Sequence, residues 1–178
     1  MVASSCIMVP TSSHTPSQVE LVFRAQVASF SFSRFLRHNR YMENLSFTTS
    51  IEGIDESQLQ GFFVGWLSAP TPGKHLQLLR NSDYAVLAID SSTKKVVGFV
   101  TAITDKTLAA YIPFLEVLPA YQKKGIGKEL TTRMLETLKD FYMVDLLCDS
   151  ELQPFYENVG MNKATGMMRR NYDKQGGI

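Results

Sequence analysis

The sequence predicts an α/β (α+β) protein whose elements follow the order β-α-α-β-β-β-α-β-α-β. Two observations support this prediction. Apolar runs between residues 84 and 118 alternate with polar turns, which is typical of an antiparallel meander. The last run ends at Pro119, before a glycine turn and a stretch whose apolar residues recur at helical spacing. With 178 residues, the chain is long enough for one domain with a sizeable core.

One strand and two helices are predicted before the meander. Residues 45–50 form the strand. Asp55 is suited to cap the next helix, because Gln58 three residues later completes a capping box. The apolar stripe of this helix consists of Leu59, Phe62, Phe63, Trp66 and Leu67. A loop at 68–73, with two prolines and a glycine, leads into a short helix at about 74–80.

The meander itself contains three predicted strands. Residues 84–89 and 96–104 are largely apolar, and the polar turn 90–94 joins them. A second turn, at 105–106, leads into the central strand, which is apolar over residues 111–118.

The C-terminal part predicts a long helix, a short helix and two further strands. The long helix follows the glycine turn and reaches about Tyr142. A buried strand at 143–148 precedes a short helix at 152–158, which ends at Gly160, a residue suited to the position after a helix. Residues 161–172 are β-forming and are predicted to close the sheet.

The turn before the long helix has the features of an anion-binding site. Gly125 and Gly127 allow the backbone to approach a ligand closely, and the first N–H groups of a helix have no partner inside it. Lys123, Lys124 and Lys128 add positive charge, and solvated surface lysines are the alternative. Such a turn can hold a phosphate or pyrophosphate, while a turn that only joins a strand to a helix is the alternative.

Two motifs resemble those of a known family. Gln122, Gly125 and Gly127 form the spacing Gln-x-x-Gly-x-Gly directly after a strand that ends Val-Leu-Pro. This resembles the acetyl-CoA-binding motif of the GNAT superfamily of N-acetyltransferases. Residues 154–161, Pro-Phe-Tyr-Glu-Asn-Val-Gly-Met, are similar to the Phe-Tyr-x-x-x-Gly-Phe of that family, with methionine as the last residue. The resemblance covers about residues 45–172 and implies a mixed, mostly antiparallel sheet of six to seven strands with helices on both faces.

The resemblance implies that acetyl-CoA is the cosubstrate. Backbone N–H groups of about residues 124–128, including Ile126, would hold the pyrophosphate. The pantetheine arm would extend the edge of the central strand at Leu115 and Val117, with the Val117 N–H as donor to the thioester carbonyl. No metal is expected, because the three histidines show no metal-ligand spacing.

Two side chains are candidates for the chemistry. Tyr156 matches the family position of the general acid that protonates the leaving thiolate, and a core tyrosine with a satisfied hydroxyl is the alternative. Glu116 is the one carboxylate in the apolar run 111–118, and if buried it could act as base or hold the incoming ammonium. A solvent-facing or structurally paired glutamate is the alternative. The catalytic glutamate of histone-modifying relatives falls at Tyr111, so the base is not carried over, and an ordered water is a candidate for that role.

The resemblance also makes the first two helices one wall of the acceptor site. Phe63 and Trp66 are therefore candidate acceptor contacts, with packing in the core as the alternative.

Composition limits the partners. A net charge of +1 argues against nucleic-acid binding, and no apolar run approaches the length of a membrane span. Cys6 and Cys148 cannot form a disulfide framework and suit a reducing compartment such as the cytoplasm. We expect a small-molecule or peptide amine as acceptor, and a homodimer is compatible with the sequence.

The first 41 residues are predicted to be an extension of a domain at 42–178. Residues 1–19 contain no Asp, Glu, Lys or Arg and resemble a mobile tail, whereas residues 20–41 are rich in Arg and Ser. Three interpretations remain: a transit segment for a plastid or mitochondrion, an extra helix packed on the domain, or translated sequence upstream of a start at Met42.

The function predicted from the two motifs is an acetyl-CoA-dependent N-acetyltransferase that acts on a primary amine by direct transfer in a ternary complex. The alternatives are a non-catalytic module that binds or senses acyl-CoA, and a transferase of a longer acyl chain.

Overall fold

A single sheet of five strands organises the computed structural model, which describes residues 42–177. The expectations for residues 1–41 lie outside this part of the chain. The strands are β1 (Leu45–Thr48), β2 (Tyr84–Asp90), β3 (Val96–Thr104), β4 (Ala109–Val117) and β5 (Met143–Asp145). They are neighbours in that order, antiparallel from β1 to β4 and parallel between β4 and β5.

Within residues 44–177, three helices accompany the sheet: α1 (Pro72–Asn81), α2 (Ile126–Thr137) and α3 (Gln153–Glu157). The start of α1 is fixed by Thr71, whose hydroxyl accepts the N–H of Lys74 at 3.2 Å, and by Pro72 in the first turn. Short 3₁₀ turns lie at Glu56–Gln58, Pro119–Tyr121, Ser150–Leu152 and Tyr172–Lys174.

Each face of the sheet has its own apolar core. On one face, α2 buries Ile126, Leu130 and Met134 against β2, β3 and β4. Gly98 of β3 permits this approach, since a Cβ there would lie 3.0 Å from Cδ1 of Leu130. On the other face, α1 buries Leu79 against β2 and β3. The predicted class, a mostly antiparallel sheet with helices on both faces, is confirmed.

The prediction of six to seven strands is wrong for the described residues, because residues 161–171 form no strand. β5 ends at Asp145, earlier than the predicted strand at 143–148. The later segment passes beside the side chain of Leu147, which a Cβ at Gly166 would overlap. Its backbone therefore lies against a side chain and not along a strand edge that could pair with it.

The helix predicted after Asp55 is also wrong. The capping box exists, but it starts only a 3₁₀ turn at Glu56–Gln58. Gly61, Phe63 and Gly65 all have left-handed backbones, with φ of 86°, 61° and 83°. A right-handed helix cannot contain three such residues.

The predicted end of the long helix also needs correction. α2 ends at Thr137, not near Tyr142, because the chain turns at Leu138. The N–H of Phe141 bonds to the Leu138 carbonyl at 3.0 Å, and the Phe141 ring then packs against Tyr84.

Candidate active site

The loop between β4 and α2, residues 118–125, places two left-handed residues just before a helix. Lys123 has φ of 59°, and Gly125, the N-cap of α2, has φ of 84°. Successive N–H groups in such a turn point to one side and form a concave donor surface. The dipole of α2 adds partial positive charge at the same end.

Four backbone donors at this point are unused by the described protein. Within residues 42–177, no hydrogen bond employs the N–H groups of Gly125, Ile126, Gly127 or Lys128. The first intrahelical bond is donated by Glu129 to the carbonyl of Gly125, at 3.0 Å. The start of α2 therefore offers a set of preorganised donors to an anion.

Side-chain bonds hold this loop against the sheet. The amide of Gln122 donates to the carbonyl of Val117 at 2.9 Å, which ties the loop to the end of β4. The ammonium of Lys124 donates to the carbonyl of Ala120 at 2.7 Å. Tyr121 donates to Asp90 at 2.7 Å. The hydrogen bond from the Ser92 hydroxyl, followed by that from Tyr121, lowers the pKa of Asp90 to about 2.

Beyond residue 111, β4 has an open edge. Pairing with β5 covers only residues 109–111 of β4. On the other side of β4, the register with β3 shifts between Thr101 and Ile103, and the extra residue on β4 falls near Pro113, which has no N–H. The bulge and the end of the β5 pairing therefore coincide.

The backbone groups on this open edge follow from strand geometry. The N–H of Leu118 donates to the carbonyl of Val97 on β3 at 2.9 Å. Because backbone groups alternate along a strand, the N–H groups of Leu115 and Val117 point away from β3, toward the open edge. The loop at residues 118–125 and the open edge thus lie at the same end of β4.

Tyr156 lies on α3, near the start of α2. Its ring packs edge-on against Phe155 with centroids 4.9 Å apart. Phe155 in turn faces Gly127, because a Cβ at Gly127 would lie 3.7 Å from Cζ of Phe155. Burial raises the pKa of Tyr156 to about 12, and an electrostatic contribution from the Cys148 side chain adds to the shift. The phenol therefore stays protonated at neutral pH and can donate a proton or hydrogen bond.

The opposite face of β4 carries a group of aromatic rings around Glu116. The Phe63 ring is 5.2 Å from that of Trp66 and 6.1 Å from that of Phe114. Phe63 is buried, whereas Trp66 is 38% exposed. The carboxylate of Glu116 accepts the N–H groups of Phe63 at 2.8 Å and Val64 at 3.2 Å.

His75 of α1 completes the aromatic core behind this face. Its ring packs against Phe62, Phe63 and Phe99, with the Phe99 centroid 4.4 Å away. Neither ring nitrogen has a hydrogen-bond partner among the described residues. Burial lowers the pKa of His75 to about 4, so the ring is neutral in the folded protein.

Replacing His75 with leucine is expected to stabilise the protein, because two buried polar atoms without partners disappear. We expect a gain of about 1–2 kcal/mol at pH 7. The free energy of unfolding of the protein with His75 should fall by up to about 3 kcal/mol as the pH is lowered from about 6.5 to about 4. The reason is that the imidazole is protonated at a higher pH in the unfolded chain than in the folded one. Urea titrations of both proteins at several pH values measure this. A stability difference that does not change with pH would contradict it.

The structure brings most of the predicted residues together around β4. The loop residues Gln122–Lys128 and the edge residues Leu115 and Val117 lie on one side, and Phe63, Trp66 and Glu116 lie on the other. Sequence reasoning missed Phe114, which strand alternation places on the same face as Glu116.

A separate cleft of about 820 Å³ lies between β1 and α2, and none of the predicted site residues lines it.

Comparison with known proteins identifies the family. The model of the acetyltransferase (GNAT) family matches residues 51–161. The chain belongs to this family. This GNAT chain is 44% identical to an acetyltransferase candidate from Deinococcus radiodurans R1, with a TM-score of 0.73 over 76% of this chain and 94% of that one. The predicted family and enzyme class, an N-acetyltransferase, are confirmed, and enzymes of this family use acetyl-CoA in general.

Plant proteins are also similar to this GNAT chain. It is 32% identical over 142 residues to GCN5-related N-acetyltransferase 2, chloroplastic, of Arabidopsis thaliana, covering 67% of this chain and 54% of that protein. It is 32% identical over 109 residues to histone acetyltransferase TAP1 of Glycine max, covering 54% and 46%. The chain spans about half the length of these two curated relatives.

Two further observations bear on the class of site. Within the described range, no group of three or more His, Cys, Asp or Glu side chains could hold a metal ion. None of the helices described for residues 42–177 is long and apolar enough to cross a membrane.

Proposed function

We propose that this GNAT chain transfers the acetyl group of acetyl-CoA to a primary amine, directly and within a ternary complex. The observation that carries the proposal is the meeting of two donor sets at one end of β4. Four unused N–H groups begin α2, and the open edge of β4 presents those of Leu115 and Val117. A diphosphate fits the first set, and an amide-containing chain such as pantetheine fits the second.

The loop residues have distinct parts in cofactor binding. The N–H groups of Gly125 to Lys128 bind the pyrophosphate, and Lys123 and Lys128 contribute charge. Gln122 acts indirectly, because its bond to Val117 fixes the loop on the strand. Ile126 contributes its N–H only, since its side chain is buried under the sheet.

The chemistry needs positioning more than covalent participation. The nitrogen lone pair of the neutral amine attacks the thioester carbon, and the carbonyl oxygen becomes an oxyanion that accepts the N–H of Val117. The C–S bond then breaks, and Tyr156 gives its proton to the departing thiolate. The excess proton on nitrogen leaves through ordered water, and water returns a proton to the Tyr156 phenolate.

The acceptor is proposed to bind on the aromatic side of β4. Trp66 and Phe114 offer partly exposed rings there, and buried Phe63 supports both from behind. The acceptor is therefore a small or peptide amine whose non-reacting part contacts an apolar surface.

A screen of primary amines, with detection of free thiol, tests the function. Calorimetry with acetyl-CoA accompanies the screen. The proposal expects saturable acetyl-CoA binding and thiol release that depends on one class of amine. Absence of acetyl-CoA binding would remove every enzymatic interpretation, whereas binding without turnover on any amine would favour an acyl-CoA sensor.

A plastid is the location we propose. The support is the Arg- and Ser-rich composition of residues 20–41 and the similarity to GCN5-related N-acetyltransferase 2, chloroplastic, of Arabidopsis thaliana. Residues 1–41 fused to a fluorescent protein should direct it into plastids. Fluorescence that stays in the cytoplasm would contradict this location.

A further inference from the structure

The segment that forms the acceptor wall has little regular structure of its own. This segment, residues 59–67 and called the wall loop below, follows the 3₁₀ turn and contains the left-handed residues Gly61, Phe63 and Gly65. Phe63 has a side chain, so its left-handed backbone (φ 61°) is unfavourable and needs support from elsewhere. Within residues 60–67 of the described chain, the only internal backbone bond runs from the N–H of Trp66 to the carbonyl of Phe63, at 3.2 Å.

Glu116 supplies that support. One carboxylate oxygen accepts the N–H of Phe63 at 2.8 Å, and the other accepts the N–H of Val64 at 3.2 Å. These are hydrogen bonds to a charged group, which are stronger than neutral ones. They join parts of the chain that are more than 50 residues apart, so they fix the wall loop directly on β4.

Glu116 lies on the same strand, β4, that is proposed to bind the thioester, so its hydrogen bonds to the wall loop link that loop to the site of the reaction. Its neighbours Leu115 and Val117 direct their N–H groups to the open edge, where the cofactor is proposed to bind. The Glu116 side chain lies on the aromatic face of β4. Its bond to Phe63 sets the Phe63 ring between those of Trp66 and Phe114, with centroid distances of 5.2 and 6.1 Å. One residue thus relates the acceptor surface to the strand that holds the thioester.

We infer that Glu116 is a positioning residue, whose carboxylate holds the wall loop on β4 so that Trp66 and Phe114 form the acceptor surface. It acts on the amine through that loop and not as the general base. The inference rests on the proposed function for the identity of the acceptor side. Of the two roles that the sequence leaves open, the contacts favour the structurally paired glutamate, because each carboxylate oxygen accepts a main-chain N–H group.

Hydrogen exchange of two backbone amides tests the contact without any need for activity. In Glu116→Ala, the amides of Phe63 and Val64 should exchange at least about tenfold faster, since each loses a charged acceptor. Glu116→Gln retains one carbonyl oxygen and should give an intermediate rate. Glu136→Gln is the matched control, because Glu136 lies on the surface of α2 and pairs only with Lys139 among the described residues. Unchanged exchange at both amides would overturn the inference.

Kinetics then separate positioning from base catalysis. In Glu116→Gln, the KM of the amine should rise about tenfold, with kcat within about threefold and acetyl-CoA affinity unchanged. The acidic limb of the pH profile of kcat/KM should remain. Loss of that limb, with kcat reduced more than about 100-fold at constant KM, would identify Glu116 as the base and overturn the inference.

If Glu116→Ala does not fold, the exchange rates and kinetics of Glu116→Gln decide the question. If the unmodified protein acetylates no amine, the proposed function fails and the exchange test still decides on the contact.

Discussion

Replacing Tyr156 with phenylalanine should lower kcat by about 100- to 1,000-fold while acetyl-CoA affinity stays the same. The phenol is the proton donor that we propose, and its ring packs against Phe155, which faces Gly127 at the start of α2. Without it, the thiolate leaves unprotonated and the tetrahedral intermediate returns more often to the amine. Steady-state kinetics with a saturating amine, together with calorimetry for acetyl-CoA, measure both quantities.

A tyrosine on the surface provides the control. Tyr142 is 82% exposed, and Tyr142→Phe should change neither quantity. Because burial raises the pKa of Tyr156 to about 12, the acid form dominates at every lower pH. The rate of the unmodified enzyme should therefore show no loss of this acid up to about pH 10. Full turnover in Tyr156→Phe would mean that solvent, and not this residue, protonates the leaving group.

Replacing Gly125 with valine should weaken acetyl-CoA binding by about 10- to 100-fold. Gly125 has φ of 84°, and a β-branched residue in this conformation is strained by more than about 1–2 kcal/mol. The backbone is expected to relax to a right-handed conformation, so the N–H groups of residues 125–128 no longer converge. Each tenfold loss of affinity corresponds to about 1.4 kcal/mol of binding free energy.

Gly53 offers a matched control for the strain alone. It also has a left-handed backbone, with φ of 75°, and a Cβ there would meet nothing within 4 Å. Gly53→Val should therefore destabilise the fold to a similar degree while acetyl-CoA affinity stays unchanged. Equal affinities for the two variants would show that the conformation of Gly125 is irrelevant to the cofactor.

The sequence predicts those parts of the site that depend on residue types and apolar spacing within one short segment. Pro119 ends a strand, Gly125 adopts positive φ at low cost, and the helix after it follows from its apolar spacing. The antiparallel meander is equally local, since polar turns separate its apolar strands. Sequence reasoning therefore located the loop, and it placed Leu115 and Val117 on the opposite face from Glu116.

The parts that depend on distant contacts were not predictable in this way. The apolar stripe that contains Leu59, Phe63 and Trp66 has helical spacing, yet Gly61 and Gly65 adopt positive φ and Glu116 captures the Phe63 N–H from 53 residues away. The two glycines were the available signal against a helix. The last predicted strand failed for a similar reason, because pairing needs a strand edge, and β5 offers only three residues.

Hydrogen exchange with and without acetyl-CoA tests the central claim most directly, namely that the start of α2 and the open edge of β4 together hold the cofactor. We predict that acetyl-CoA slows exchange at Gly125 to Lys128 and at Leu115 and Val117, while the Leu118 amide, already bonded to Val97, changes little. Saturable binding that leaves all of these amides unprotected, or that protects the cleft between β1 and α2 in their place, would contradict it.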